Sequence, residues 1–280
     1  MATAPTITTN DPTPIKRESV TVRASSLAEL FDCPARWAAK YIHNMKMPTN
    51  PKALLGTAVH RSTALYDQSI LTCGGLTVDE SAGAAVDAIY KSDEPVLWED
   101  EKPGDVEKIA LALHQKYCTE IAPTQKYTDI ELECEKLAIT DLGLVLTGTT
   151  DRVREDETGF GISDIKTGRS IVNKDGDIDT KGHAYQLGLY ELLAEHAGGK
   201  RVTAPAEIIG LTTAKTDAGQ RVGRASVPNA RSVLIGNEFF PGVLQHASRM
   251  IHSGDFYGNP KSMMCHKNYC PVFHQCPYRR

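Results

Sequence analysis

"GFGISDIKTGRS", residues 159–170, has the alternation expected of a β-strand. Because alternate side chains of an extended chain share a face, Asp164 and Lys166 point to one side while Ile165 packs on the other. A carboxylate beside an ammonium group on a strand that enters a core needs an explanation. One interpretation is a surface ion pair on a half-exposed strand. The other is a catalytic pair, and the rest of the sequence must decide between them.

Two further strands precede this one, and the three together predict an antiparallel meander. DIELECEKLAI (129–139) alternates apolar and charged residues, and GLVLTGTTDRV (143–153) is rich in β-formers. The connections between the strands are short, which suits antiparallel neighbours. Asp151 lies toward the end of the middle strand, so we expect it to meet Asp164 at neighbouring strand ends.

Two carboxylates placed in this way predict a metal site. At a separation of about 4 Å they repel by roughly 4 kcal/mol at an effective dielectric constant of about 20, so the pair needs a cation. Hard oxygen ligands favour Mg²⁺ or Mn²⁺. Asp164 and the carbonyl of Ile165 would bind the metal, and Lys166 would lie beside the water that attacks phosphorus, as in metal-assisted phosphodiester hydrolysis. On these strands alone, an ion pair with Asp151 as a turn residue explains the pattern equally well.

Helical segments flank the strands on both sides in the sequence. Residues 25–45 begin with Ser26 and Glu29 at capping-box spacing and are interrupted at Pro34, which predicts a helix in two pieces joined at Cys33. The remaining periodicity predicts helices over 52–70, 80–91, 105–121, 181–198 and about 229–253, the last divided at Pro241, and strands over 205–213 and 220–227. The order predicts an α/β fold with a central mixed sheet flanked by helices.

Length, charge and hydropathy limit the class of protein. A net charge of −4 over 280 residues excludes a global basic field, so any contact with nucleic acid must be local. No run of 18 or more apolar residues is found, and residues 1–20 lack the apolar segment of a signal peptide, so we expect a soluble, cytoplasmic protein. The predicted organisation is a flexible tail over 1–20 and one domain over 21–280: a helical part over 25–121, a catalytic core over 129–227, and a C-terminal helix and cysteine segment over 229–280.

Four short motifs occur in a fixed order: GTAVH (56–60), GTTD (148–151), DIKTG (164–168) and QLGLY (186–190). Their order and approximate spacing resemble the RecB-like branch of the PD-(D/E)XK nuclease superfamily over residues 22–280. The resemblance implies a restriction-endonuclease-like core and a divalent metal. Many members of the wider superfamily have Glu where this chain has an Asp in DIKTG, and both residues satisfy the D/E position.

The resemblance also implies a role for each motif residue. His60 matches the helix histidine that completes the metal shell, and imidazole among the ligands suits Mn²⁺. Lys166 matches the catalytic lysine, which orients or deprotonates water and stabilises developing negative charge. The other matches are two acidic metal ligands and a helix pair turned toward the DNA backbone, namely Asp151, Asp164, Gln186 and Tyr190. Without the motifs, a lone helix histidine is more often structural, and the last pair fits an ordinary helix face.

The cysteines suggest a second metal centre. Cys33 stands alone near the start, and Cys265, Cys270 and Cys276 occur close together in CHKNYCPVFHQCPYRR. One early and three late cysteines resemble the iron-sulfur staple of the AddB nuclease domain and of the CRISPR-associated RecB-like exonucleases, which also occur in phage genomes. The resemblance implies a structural four-iron four-sulfur cluster that joins the two ends of the domain. The late spacing here is C-x4-C-x5-C, whereas those families have C-x2-C-x5-C.

Zinc and free thiols are the other interpretations of the same cysteines. Zinc could take these four residues, or a local set that includes His266 or His274. Free thiols are unusual for three cysteines in so short a segment. A buried thiol is predicted for each cysteine outside the cluster, namely Cys73, Cys118 and Cys134.

Taken together, the motifs predict a metal-dependent DNA exonuclease that acts on single-stranded or end-processed DNA in recombination, repair or phage DNA metabolism. The preference for ends is implied by the resemblance alone. Two alternatives stay open: a noncatalytic DNA-end-binding or adaptation-complex subunit, and a zinc-stapled structure-specific endonuclease. The sequence has no P-loop, so unwinding requires a helicase partner, and it does not indicate an oligomeric state.

Basic residues near the predicted site indicate a local DNA groove, in spite of the acidic total charge. The alternative is a solvated charged surface. The residues are Arg152, Arg154, Lys166, Arg169, Lys174 and Lys181, with Arg279 and Arg280 at the end of the cysteine segment.

Overall fold

The chain folds around a six-stranded mixed sheet in a computed structural model that describes residues 18–180 and 182–279. The sheet order is β1, β3, β4, β5, β6, and β2 pairs with β3. The strands are β1 (Val20–Arg23), β2 (Tyr127–Ile139), β3 (Leu144–Asp156), β4 (Gly159–Gly168), β5 (Ala206–Thr212) and β6 (Val222–Val227). This arrangement confirms the predicted mixed sheet.

The strand pairing leaves the middle of β3 without a partner strand on one edge. β2, β3 and β4 form the predicted antiparallel meander, and β2 follows β3 along nearly its whole length. The other edge of β3 is therefore shared: β1 pairs in parallel with residues 144–147, and β4 pairs with residues 152–156. Asp151 lies between these two stretches, where β3 exchanges one neighbour for the other.

Eight α-helices in the described part of the chain cover the two faces of the sheet. One apolar core contains residues from the first pair of helices and from the last three, and the other contains residues from the three between. The helices are α1 (Leu27–Asp32), α2 (Pro34–Tyr41), α3 (Pro51–Leu71), α4 (Val78–Tyr90), α5 (Pro103–Lys116), α6 (Ala184–Gly198), α7 (Ala230–Ile235) and α8 (Val243–Ser253). A π-helical turn, Tyr117–Ile121, continues α5.

Several sequence predictions about these helices are confirmed. The first helix is in two pieces that meet at Cys33, because Pro34 starts α2 as its first residue and cannot continue α1. The last predicted helix is divided into α7 and α8, and Pro241 lies between them. None of the described helices is long and apolar enough to cross a membrane.

The predicted capping box at Ser26 is wrong. The Ser26 side chain makes no cap bond, and its hydroxyl donates to the carbonyl of Arg23 and accepts from the indole of Trp37. Glu29, its expected partner, instead pairs with Arg36 and Lys40 on α2. The pairing of α1 with α2 therefore takes the groups that would have capped the helix.

Strand β1 is an element that the sequence did not indicate. It begins at Val20, a residue that was assigned to the tail, and the rest of the predicted tail up to residue 17 lies outside the described residues. Its four residues pair only with β3, more than a hundred positions away in the chain. Strand pairing of that range is decided by tertiary packing.

The glycine in QLGLY has a packing role. A Cβ atom on Gly188 would lie 2.4 Å from the carbonyl oxygen of Ala230, the first residue of α7. α6 and α7 approach so closely that no larger side chain fits at this position. The same helix presents Gln186 and Tyr190 to the site described below.

Candidate active site

Four elements bring the motif residues together at the middle of the sheet. His60 comes from α3, Asp151 from β3, Asp164 and Lys166 from β4, and Gln186 with Tyr190 from α6. Hydrogen bonds and ion pairs connect these residues directly. α3 lies on one face of the sheet and α6 on the other. The pairing of β3 with β4 ends at Arg152 and Ser163, and the site lies where the two strands separate.

Asp151 is held by a ring nitrogen on one side and by a backbone amide on the other. His60 Nδ1 lies 3.4 Å from Asp151 Oδ2, and the N–H of Ile165 donates to the same oxygen at 2.8 Å. Burial opposes ionisation of Asp151, but His60 and then Lys166 hold the pKa of its carboxyl well below the usual value. Burial by itself lowers the pKa of His60. The Asp151 carboxylate has the opposite and larger effect, because it stabilises the protonated ring, and the pKa of His60 is therefore raised. Asp151 is therefore a carboxylate ready to bind a cation.

Asp164 has a buried carboxylate whose charge partner is Lys166. It is 1% exposed, and Lys166 Nζ lies 2.7 Å from its Oδ2. Burial raises the pKa of Asp164 to about 6, while Lys166 opposes the rise and Asp151 adds to it. A buried carboxylate next to the second carboxylate, Asp151, fits a site that accepts a cation.

A short chain of side chains links Asp164 to α6. Lys166 Nζ donates to Gln186 Oε1 at 3.1 Å, and Gln186 Nε2 donates to the hydroxyl of Tyr190 at 2.9 Å and to Asp164 Oδ1 at 3.4 Å. Burial lowers the pKa of Lys166, but Asp164 and Asp151 outweigh burial and raise it, so the side chain is an ammonium group. Gln186 thus fixes the direction of the Lys166 side chain.

The structure adds Glu131, which the sequence analysis did not single out. One ligand atom from each of His60, Glu131 and Asp151 lies within 4.8 Å of the others, and no other group of three such residues in the described chain meets this criterion. Asp164 and Ile165, which were predicted as ligands, are outside this group. Asp164 faces Lys166 and Gln186, and the backbone N–H of Ile165 donates a hydrogen bond to Asp151.

An irregular backbone conformation positions Glu131. It lies level with Asp151, between the pairs Ile130–Arg152 and Leu132–Thr150, and its φ of 48° is in the left-handed region. A non-glycine residue rarely adopts this conformation, and such residues concentrate at functional sites. In the sequence, Glu131 is one of several glutamates on an alternating strand, so no local pattern distinguishes it.

The donor set fits a divalent cation with a preference for oxygen ligands. Two carboxylates and one imidazole converge, with Asp164 adjacent, and such sets suit Mg²⁺ or Mn²⁺. The arrangement has negative groups that repel each other unless a cation lies between them. The Glu131 side chain is 43% exposed, and its partial burial, followed by the charge of Asp151, raises the pKa of its carboxyl.

Arg152 supports this site through ion pairs in the interior of the protein. Its side chain is fully buried, donates through Nε to Asp67 Oδ2 at 2.7 Å, and reaches Glu131 Oε1 at 3.2 Å through Nη1. Asp67 belongs to α3, two turns after His60, and it also accepts from the Tyr117 hydroxyl at 2.6 Å. Arg152 therefore links the elements that carry the three closely placed ligand groups.

Two of the basic residues predicted to line a DNA groove are buried in the protein. Arg152 and Arg154 are buried, and Arg154 donates to the carbonyl of Pro205 at 2.7 Å. Both guanidinium groups are used inside the protein, so they are not available to contact DNA. Of the rest, Arg169, Lys174 and Arg279 are exposed and Lys166 is in the site, while Lys181 and Arg280 lie outside the described residues.

The four clustered cysteines line one small cavity at the junction of α1 and α2 with the C-terminal segment. Cys33, Cys265, Cys270 and Cys276 all belong to its wall, and no described cysteine forms a disulfide. Gly258 faces the same place, since a Cβ atom there would lie 3.1 Å from Cys276 Sγ. The free space is about 10 Å³, so a bound group requires the surrounding side chains to move outward.

Hydrogen bonds hold the C-terminal segment against Cys33. The amide of Asn259 donates to Cys33 Sγ at 3.5 Å, and the Asn259 side chain donates to the carbonyl of Asp32 at 2.8 Å. Ser262 donates to the Asp32 carboxylate at 2.5 Å. The two ends of the described chain therefore meet through ordinary polar contacts as well as through the thiols.

One prediction for the remaining cysteines is wrong. Cys118 and Cys134 are buried, as predicted, but Cys73 is exposed. It follows α3 directly and has a φ of 54°, in the left-handed region that a turn after a helix requires. The end of the helix, rather than a core, sets the position of this thiol.

Comparison with known protein families gives one match. The family model of the PD-(D/E)XK nuclease superfamily matches residues 21–277. No curated protein sequence matches the chain. The match includes every residue of the site described above.

Proposed function

The chain belongs to the PD-(D/E)XK nuclease superfamily, whose members are divalent-metal nucleases, and we propose that it is a metal-dependent DNA exonuclease. Its substrate would be single-stranded or end-processed DNA. The convergence of His60, Glu131 and Asp151 beside the Asp164–Lys166 pair carries this proposal. A surface ion pair, the simpler explanation of DIKTG, does not account for an Asp164 carboxylate that is only 1% exposed.

The metal would be held by His60, Glu131 and Asp151, with Asp164 as the neighbouring carboxylate. A divalent cation in such a site supplies Lewis-acid stabilisation of the phosphoryl oxygens and lowers the pKa of water. The proposed ligand set enlarges the sequence-based one, because Glu131 joins it. The backbone carbonyl of Ile165 remains a proposed ligand.

The residues on β4 and α6 would position the reactants. The Lys166 ammonium group would orient the attacking water and stabilise the negative charge that develops on the phosphate oxygens. Gln186 holds Lys166 in place through its amide oxygen and would face the DNA backbone, while Tyr190, predicted to face DNA as well, is 5% exposed and would position Gln186 through its hydroxyl. These three residues act through position and charge, which is how most phosphoryl chemistry is catalysed.

We further propose that the four cysteines hold a structural metal centre. All four cysteines line one cavity, which supports a shared metal centre. The resemblance implies a four-iron four-sulfur cluster for four such thiolates, and zinc, which also binds four cysteine sulfurs, is the alternative. The same four thiolates support a place near the AddB and CRISPR-associated exonuclease group within the superfamily.

The proposed cellular role is DNA processing in the cytoplasm, in recombination or repair. A helicase would supply single strands, because the sequence contains no P-loop of its own. The match to a nuclease family and the intact site support an enzyme over a noncatalytic DNA-end-binding subunit.

The test is release of nucleotides from end-labelled linear single-stranded DNA with Mn²⁺, in wild type and in Lys166→Ala. Lys91→Ala is the matched control, since Lys91 directly follows α4, is exposed, pairs with Asp87 and belongs to none of the motifs. A closed circular substrate separates exonuclease from endonuclease activity. Loss of activity in Lys166→Ala alone, with the circle intact, supports the proposal. Cutting of the circle would indicate an endonuclease, and inactivity of all three proteins would favour the binding subunit.

A further inference from the structure

A groove of about 770 Å³ runs along the exposed side of α3 and reaches β2. Its α3 wall extends from Ala53 to Gln68, a rise of about 22 Å at 1.5 Å per residue. His60 and Glu131 belong to its wall, and both are in the group of closely placed ligand atoms. The groove is therefore continuous with the candidate metal site.

The groove combines apolar side chains with an available cation. Leu65, which is 39% exposed, and Ile130 give it an apolar surface from two different elements. Arg61 follows His60 directly, is exposed, and has no ion-pair partner among the described residues. Proteins that bind single strands combine cations that contact the backbone with aromatic side chains that stack on the bases, and in this groove aliphatic side chains supply the apolar surface.

We propose that this groove binds the nucleotides of a single DNA strand next to the phosphate that is cut, an assignment that rests on the proposed nuclease function. Arg61 contacts a backbone phosphate, and Leu65 and Ile130 contact the face of an unpaired base. Base faces in a duplex are stacked on each other, so these apolar side chains would have no surface to contact there. The contacts read no base edge, so binding is independent of sequence.

The experiment measures the dissociation constant of a short labelled oligothymidylate by fluorescence anisotropy, with Ca²⁺ in place of Mn²⁺. The groove variants are Arg61→Ala and Leu65→Glu. Ile70→Glu is the matched control for the latter, because Ile70 is on the same helix, 56% exposed and outside the groove. Arg249→Ala is the control for the former, because Arg249 is exposed on α8, which packs on the other face of the sheet.

Leu65→Glu should raise the dissociation constant about tenfold or more, because it removes a base contact, and Arg61→Ala should do the same, because it removes a charge-assisted contact with a phosphate. Arg61→Ala should also reduce the slope of log K against log salt by about 0.7, the contribution of one phosphate contact on a single strand. Both controls should stay within about twofold of wild type, and melting temperatures should confirm that all four variants are folded.

Dissociation constants of both groove variants within about twofold of their controls would overturn the proposal. So would a labelled duplex that binds as tightly as the single strand and responds equally to Leu65→Glu. The nuclease function has a separate readout, since hydrolysis of bis(p-nitrophenyl) phosphate by the wild type with Mn²⁺ needs the metal centre but no DNA strand. If wild type neither hydrolyses this ester nor cuts DNA, the nuclease function fails while the binding result stands.

Discussion

Replacement of Arg152 by methionine should destabilise the protein more than any exposed substitution. Arg152 is fully buried, and its ion-pair partner Asp67 is 1% exposed. Methionine fills similar space but leaves the Asp67 carboxylate buried with only the Tyr117 hydroxyl as a hydrogen-bond donor. Removal of one partner from a buried ion pair costs about 3–5 kcal/mol of unfolding free energy, because the remaining charge is uncompensated.

That loss is large compared with the whole stability of a domain, which is about 5–15 kcal/mol. For a chain of this size it corresponds to a fall in melting temperature of roughly 6–20 °C. Glu131 would also lose its contact with the guanidinium group, so the affinity for Mn²⁺ should fall in the molecules that remain folded. The two effects have one cause, the loss of the link between α3, β2 and β3.

Urea unfolding of wild type, Arg152→Met, Asp67→Asn and the double variant measures both the cost and its origin. Asp67→Asn removes the charge while it keeps an oxygen for the Tyr117 hydroxyl, so the double variant should recover more than half of the loss. The reasoning is refuted if Arg152→Met costs less than about 1 kcal/mol, or if the double variant is no more stable than Arg152→Met.

Three further predictions concern the metal sites and the packing of α6. Glu131→Gln should weaken Mn²⁺ binding, measured by calorimetry, by at least about tenfold, because loss of a residue that only hydrogen-bonds to a metal ligand already has an effect of that size. Glu135→Gln, an exposed position on β2, should leave Mn²⁺ binding unchanged. Cys33→Ala should lower bound iron or zinc and the melting temperature together, and Cys73→Ala should change neither; unchanged metal content in Cys33→Ala would remove that residue from the centre. Gly188→Ala should cost about 1–3 kcal/mol in urea unfolding through overpacking against α7, and a neutral result would show that the two helices separate without cost.

Local patterns predicted much of the secondary structure because they depend on chain geometry alone. The alternation in 129–139, 143–153 and 159–170 predicted the meander, since side chains of a strand alternate between its faces whatever surrounds it. Pro34 and Pro241 predicted breaks because proline cannot donate a backbone hydrogen bond. These inferences need no knowledge of the neighbours of a residue.

The roles of charged residues were predicted less well, because the same residue can contact a ligand on the surface or form an ion pair in the core, and the sequence does not distinguish the two. Arg152 was predicted to face DNA, yet the structure buries it against Asp67, which comes from a helix 85 positions earlier. Glu131 had no distinguishing pattern on its strand and gained its place from a left-handed backbone conformation. Both outcomes depend on which element packs behind the strand.

The periodic elements and the order of the motifs from His60 to Tyr190 follow from the sequence, since both are properties of neighbouring residues along the chain. The pairing of β1 with β3, the meeting of His60 with Glu131, and the groove along α3 follow from the tertiary packing. These features depend on contacts between residues that are distant in sequence, and the packing of the two helical layers on the sheet decides which of those contacts form.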